Sequence, residues 1–399
     1  MQSCELDNNC LKNLKILIIG GSGILSSAVV DCCLSKGYDV TMLNRGNDSV
    51  FTNPNARIII CDARDEEQVK QKTKGLHFDV VIDFIVFTKD QLEKSLSLFG
   101  SIAHQYVFIS SAQVYNTSIS KVLTEDDETP QPLWSYSTNK DACEKYLKRY
   151  CKVHSLNYTI VRPGVNYDNR RIPYGICPPY GWHWTIVARI LAGKPIITWN
   201  KGQNKLNVTR VEDFAFGLVG LLGNEKAYNE SINVVGDYVY SWRQMLEVLG
   251  KILNTTVEMV DLPLDAYANE LSTDYERGRL LGGRACDLIC SNEKMKSIVP
   301  DFHSTIDLEK GLRMTIEWYK ENNYYKGFDY KWDAEQDRIV RKLCEKKYRR
   351  GYVSYSKTRR TESILNRCTY WIEYYKEHNF KTMFWKCLRR VTLRIVKFL

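Results

Sequence analysis

The chain contains no run of about eighteen apolar residues, which excludes a helix long enough to span a bilayer. No apolar stretch precedes the first strand-like segment, so no secretory leader is expected. Internal repeats, low-complexity tracts and the paired Cys-x-x-Cys spacing of zinc sites are also missing, and no metal is expected. The thirteen cysteines are odd in number and scattered, which reads as free thiols of a reducing, cytoplasmic setting. Acidic residues are scarce at the end: from Arg338 to Leu399, 4 Asp and Glu face 18 Lys and Arg, a net charge of +14. The preceding 337 residues carry 38 basic and 43 acidic groups. A slightly acidic body therefore bears a basic tail. With 399 residues, 44% of them hydrophobic, the body has enough apolar mass for two or three domains.

Short apolar runs at 14–20, 39–43, 56–61, 78–84, 104–110 and 157–162 alternate with helical patterns at 24–36, 65–73, 89–103 and 136–153. Such alternation, with strands apolar throughout rather than at every second residue, predicts an α/β fold with a doubly wound parallel sheet covered on both faces. Beyond Pro163 the rhythm breaks. Short strands at 195–199 and 231–235, with helices near 212–223, 241–253 and 305–323, predict a smaller α+β unit for substrate. The expected division is 13–165, 166–330 and a tail over 338–399.

Gly20-Gly21-Ser22-Gly23 falls where the first strand must turn into the first helix, which Ile24 and Leu25 open. Glycine there lets the backbone approach a pyrophosphate, with the helix N–H groups facing the anion. Ser26 takes the place of the usual third glycine and is small enough to keep helix and strand close. The second strand ends on Asn44 and Arg45, where a carboxylate would grip the adenosine ribose. Its loss tilts the expectation from NAD toward NADP, whose 2′-phosphate Arg45 would bind. Asp62, after the third strand, either holds the adenine amino group or caps the next helix.

Tyr136 and Lys140 are four apart on an expected helix and so leave it on one face. A phenol is a poor base below about pH 10, but a neighbouring ammonium lowers the cost of its phenolate. Ser111, ending the strand before it, supplies a hydroxyl to orient a reacting oxygen. With GGSG at 20–23, SSAQVY at 110–115, YSTNK at 136–140, RPGVNY at 162–167 and VED at 211–213 in this order, the chain resembles the extended short-chain dehydrogenases/reductases, in their NAD-dependent epimerase/dehydratase branch, over about residues 13–325. The resemblance implies a Rossmann-type domain and Tyr136 as acid/base. It implies that Lys140 also holds the nicotinamide ribose, that Ser111 orients substrate, and that the substrate is a nucleotide-sugar. Dimerisation through the Rossmann helices is a further implication. Sugar 4,6-dehydratases of this family carry Asp-Glu just after the catalytic hydroxyl; Ala112-Gln113 stand here, which disfavours dehydration. Reversible hydride transfer by an epimerase, or a keto-sugar reductase, remains.

The substrate half departs from the family pattern. Asn166 stands one place from the expected register. Leu206 occupies the position of a diphosphate-binding arginine, leaving Lys205 or Arg210 to substitute. In the aromatic loop 173–184, Tyr174, Tyr180, Trp182 and Trp184 either stack on substrate as a lid or anchor the loop to the core, and His183 reads as an ordinary polar loop residue. In the tail, Phe380, Phe384, Leu388, Val391, Ile395 and Phe398 recur at helical spacing among basic residues. That pattern fits a helix lying on an anionic membrane or one docked on the body or on a second subunit. A non-catalytic RNA-binding role, as in chloroplast relatives, is disfavoured by the intact Ser111, Tyr136 and Lys140.

Overall fold

The computed structural model describes residues 13–46, 53–117, 121–178, 182–322 and 328–344. The first part alternates regularly: β1 (Lys15–Ile19), α1 (Ile24–Ser35), β2 (Asp39–Asn44), β3 (Arg57–Ile60), α2 (Glu66–Thr73), β4 (Phe78–Asp83), α3 (Lys89–Phe99), β5 (Ala103–Ile109), α4 (Ser135–His154) and β6 (Asn157–Pro163). There follow β7 (Val165–Tyr167), α5 (Trp184–Leu191), β8 (Ile196–Thr198), β9 (Lys205–Arg210), α6 (Val211–Gly220), β10 (Glu230–Val234), β11 (Val239–Ser241), α7 (Trp242–Ile252) and β12 (Met259–Asp261). Five helices finish the described chain: α8 (Leu264–Glu270), α9 (Asp274–Arg279), α10 (Glu293–Ile298), α11 (Leu308–Glu321) and α12 (Tyr330–Leu343).

Seven strands form one parallel sheet in the order β10-β6-β5-β4-β1-β2-β3. The apolar runs in its strands have a direct cause in packing. Ile16 and Ile18 of β1 join Val29 and Val30 of α1 with Phe214 and Leu218 of α6. Leu17 and Ile19 leave by the other face, toward Leu92 and Leu96 of α3 and Leu147 of α4. All four β1 side chains are fully buried. Only at the edge does this fail: Ile58 and Ile60 of β3 are 43% and 58% exposed.

The expected strand at 231–235 does not belong to the smaller unit. As β10 it pairs with β6, placing Ile232 beside Val161, and it completes the large sheet. Sequence order does not reveal which sheet a late strand joins, so the boundary at 165 divides one core. The smaller part has two small sheets, β11-β9-β7 and β12-β8. Around them lies a separate core containing Tyr174, Trp199, Trp242 and Tyr267. Within the large sheet, strand order reverses between β1 and β4, which opens a crevice at their carboxyl ends.

Two buried ionic networks fix the elements around that crevice. Glu144 of α4 receives two hydrogen bonds from Arg162 of β6, at 3.0 and 2.6 Å, and a third from the Ser110 hydroxyl at 2.5 Å. Arg162 also donates to the Tyr115 hydroxyl at 2.8 Å. The second network docks α12: Arg189 and Lys194 each pair with both Asp333 and Asp337, at 2.6 to 2.8 Å. A tail beginning at 338 would therefore cut through a docked helix. Residues beyond 344, including the stripe from Phe380 to Phe398, lie outside the described residues, as does Tyr180. Among the described residues no helix is long and apolar enough to cross a membrane.

Each network generates a stability prediction. Glu144→Gln keeps shape but strands the Arg162 charge, and should cost about 3 kcal/mol in urea unfolding. Asp333→Ala leaves Asp337 to balance two cations, and should cost about 2 kcal/mol. A variant that unfolds at the wild-type urea midpoint would show that its network does not hold the elements together.

Candidate active site

At the amino end of α1 the chain makes a tight turn. Gly20 has φ +83°, and a Cβ there would lie 2.4 Å from Ile85 Cγ2; one on Gly21 would lie 2.8 Å from Met42 Sδ. Glycine is demanded on both counts. Ser26 fastens the turn, donating from its hydroxyl to the Gly20 carbonyl at 2.6 Å and accepting from the Gly23 N–H at 2.8 Å. No acidic residue occupies the first turn of α1, and Gly23 has no side chain to cap it. Its uncapped N–H groups and helix dipole thus face the crevice as an anion-binding end.

That turn lines a cavity of about 630 Å³, with Gly20, Ser22, Gly23, Ile24 and Leu25 on one side and Tyr136 and Lys140 on the other. The second-strand end contributes Asn44 and Arg45, and the loop after β3 adds Asp62 and Arg64. Asn44 accepts the Gly46 N–H at 3.0 Å, and Asp62 accepts that of Arg64 at 3.0 Å. Asp62 does not cap α2; Asp65 does, accepting from the Gln68 N–H. Arg64 escaped the sequence reading because it lies two residues past a carboxylate in an irregular loop. A dinucleotide fits these residues: Gly20 and Gly21 pack so closely on Ile85 and Met42 that the turn admits no side chain there, and Arg45 and Arg64 line the same cavity.

Lys140 is 2% exposed and donates to the carbonyls of Val86 at 2.6 Å and Ile109 at 2.8 Å. Its ammonium also lies over the rings of Phe87, Phe108 and Tyr136, at 4.6, 4.9 and 5.9 Å. Burial lowers its pKa to about 8. The Tyr136 phenol is pushed up to about 12, chiefly by burial, while a hydrogen bond from Ser111 and the charge of Arg284 act the other way. Ser111 is itself nearly buried and accepts the Gln113 N–H at 3.2 Å. Asp83 controls the loop that supplies the Val86 carbonyl, accepting the N–H groups of Ile85 and Val86 at 2.9 and 3.2 Å. Tyr136 and Lys140 line one cavity with the glycine turn, and Ser111, which is not among the cavity-lining residues, reaches the site through its hydrogen bond with the phenol; together they can move a proton at a substrate oxygen.

On the substrate side the structure divides the expected residues. Asn166 lines the cavity, and its buried Oδ1 has no hydrogen-bond partner among the described residues. Arg210 is not available. It is buried, pairs with Glu212 at 2.8 Å, bonds Asn169 and stacks on Tyr167. Lys205 is exposed at the start of β9 and outside the cavity. Both follow from geometry: β9 runs through the small sheet, and its alternation turns Arg210 into the core. The cavity wall instead offers Arg171, with Arg279 and Arg284 near it; these lay in segments without a recognised motif. Tyr174 and Trp182 are buried and Trp184 packs on Tyr319, so these aromatics anchor the loop. His183 is no ordinary loop residue. It is buried against Ile172, and burial lowers its pKa to about 3, which keeps it neutral. Among the described residues, no His, Cys, Asp and Glu group is arranged to hold a metal.

The chain is 23% identical over 329 residues to a putative UDP-glucose 4-epimerase of Methanocaldococcus jannaschii, covering 77% of this chain and 99% of that one. It is 26% identical over 315 residues to a chloroplast stem-loop binding protein of 41 kDa from Arabidopsis thaliana, covering 75% and 77%. The structure of Thermotoga maritima UDP-glucose 4-epimerase with UDP-glucose shares the fold, with a TM-score of 0.62 at 20% identity, over 78% of this chain and all of that one. The model of the NAD-dependent epimerase/dehydratase family matches residues 16–235, which is more than half of the chain. The chain therefore belongs to the NAD-dependent epimerase/dehydratase family.

Proposed function

We propose that the protein is an NAD(P)-dependent nucleotide-sugar epimerase acting at a hydroxyl-bearing carbon of the sugar. One observation carries this reading: Tyr136 and Lys140 share a single cavity with the glycine turn at Gly20–Gly23. When bound, the dinucleotide supplies a nicotinamide ring that accepts a hydride from the sugar carbon and returns it. Tyr136 takes the hydroxyl proton as that carbon is oxidised to a carbonyl and gives it back on reduction. Ser111 donates a hydrogen bond that fixes the oxygen, and the Lys140 ammonium favours the phenolate. Return of the hydride to the opposite face inverts the carbon with no net redox change. The UDP-glucose named for relatives is a substrate of this class.

Asp62 is the one carboxylate among the described cavity residues, and it lies at the ribose end. Elimination of water has no acid to draw on near Tyr136, which argues against the dehydratase chemistry of other relatives. Arg45 and Arg64 flank that ribose end and favour a 2′-phosphate, hence NADP(H). They also support a second reading, a keto-sugar reductase, which stoichiometric oxidation of added NADPH would mark. The stem-loop binding relative raises a nucleic-acid role; the shared cavity of Tyr136, Lys140 and the cofactor turn supports catalysis instead.

Tyr136→Phe should lower turnover by at least about 100-fold while leaving dinucleotide affinity nearly unchanged. Unaltered turnover would remove Tyr136 from the chemistry. The ammonium of Lys140, its pKa lowered by burial, is present below about pH 8 and lost above it. The kcat/KM profile should accordingly fall above about pH 8, and a profile flat to about pH 10 would contradict a role for that charge.

A further inference from the structure

Between β4 and α3 the chain reads Phe84-Ile85-Val86-Phe87, four apolar residues with no polar side chain of their own to hold a turn. Their N–H groups find acceptors elsewhere. Phe84 donates to the Ile19 carbonyl at 3.1 Å, Ile85 and Val86 both donate to Asp83 Oδ1, and Phe87 donates to Gln91 Oε1 at 2.8 Å. Held in this way, Phe84, Ile85 and Phe87 line the cavity, and Ile85 packs against Gly20 of the cofactor turn. The carbonyl of Val86 accepts the Lys140 ammonium.

Asp83 is anchored in its turn. It is 1% exposed, and its Oδ2 accepts the hydroxyls of Ser95 on α3 and Tyr106 on β5, at 2.6 and 3.0 Å. One carboxylate thus joins β4, β5, α3 and the 84–87 turn, with two donors on each oxygen. Burial raises its pKa, while the hydrogen bonds from Ser95, Ile85 and Tyr106 and the charge of Lys140 oppose the rise.

Lys140 is held by two carbonyls and by the rings of Phe87 and Phe108, and among the described residues it forms no ion pair. The titratable groups around it are Asp83 on β4 and Tyr136, Cys143 and Glu144 on α4. Glu144 is engaged by Arg162 and Ser110. A buried ammonium keeps its proton only while its N–H groups have acceptors, so withdrawal of the Val86 carbonyl would favour the neutral amine.

We propose that Asp83 is a positioning residue for the reaction: by fixing the 84–87 turn it keeps the Val86 carbonyl and the Phe87 ring on Lys140, and so holds that ammonium in place beside Tyr136 and the cofactor turn. Asp83 does not itself line the cavity and acts through Lys140. The inference rests on the cavity being the active site proposed above.

Nuclear magnetic resonance of protein carrying nitrogen-labelled lysine, with Lys140→Met to identify the signal, reads the ionisation of Lys140 without dinucleotide or substrate. Asp83→Ala should lower the Lys140 pKa from about 8 by about one pH unit or more. Asp83→Asn removes the charge but keeps an acceptor for both turn N–H groups, and should give back at least half of that change. Gln91→Ala releases the same turn at a half-buried position without touching the carboxylate, and should lower the Lys140 pKa as well. A purely structural role would lower the melting temperature of these variants and leave Lys140 unmoved. An unchanged or raised value in Asp83→Ala, or equal values in Asp83→Ala and Asp83→Asn, would overturn the inference. If Asp83→Ala does not fold, an unchanged value in Gln91→Ala overturns it. No turnover is read, so failure here is distinct from unaltered turnover in Tyr136→Phe.

Discussion

The docking of α4 on the carboxyl ends of the sheet strands is the constraint from which the site follows. Glu144 is locked to Arg162 and Ser110 within the protein, one turn of α4 beyond Lys140. Lys140 in turn ties the helix to the ends of β4 and β5 through the carbonyls of Val86 and Ile109. With those points fixed, the first turn of α4 has one place to go, and Tyr136 faces the glycine turn. A buried ion pair is weak evidence for stability as such. Its use here is geometric: it sets the rotation and height of the helix carrying the phenol.

Much of this was legible in the sequence because local signals and packing agree. Ile16–Ile19 and Val80–Ile82 are apolar at successive positions because strands at the middle of a covered parallel sheet bury both faces. GGSG after such a run and a Tyr-x-x-x-Lys pair on a helix need no tertiary knowledge to be read. The failures have one source, which is that side-chain direction in the substrate half depends on pairings between distant segments. Arg210 looked free in sequence but alternation along β9 turns it to Glu212 and Asn169. The strand at 230–234 looked like part of a second unit but finds its partner in β6. Arg279 and Arg284 meet at the Gly175 carbonyl, and only the fold brings them near Arg171, more than a hundred residues earlier.

The substrate half also shows how one motif change propagates. The chain lacks an arginine at position 206, where the family pattern expects one, and Leu206 is buried there instead. Arg171 lines the cavity instead, and the nearby Arg284 carbonyl is held by the indole N–H groups of Trp199 and Trp242.

The central claim is that the glycine turn and the α4 side chains face one dinucleotide. Gly23 offers the sharpest test, because its φ of −77° is open to any residue while a side chain there would enter the cradle beside Ser26. Equilibrium binding of NADPH and NADH to wild type and Gly23→Val, with circular dichroism as the check on folding, measures it. The account predicts one dinucleotide per wild-type chain and loss of that binding in a folded Gly23→Val. No binding to the wild type, or equal binding to both, would contradict it.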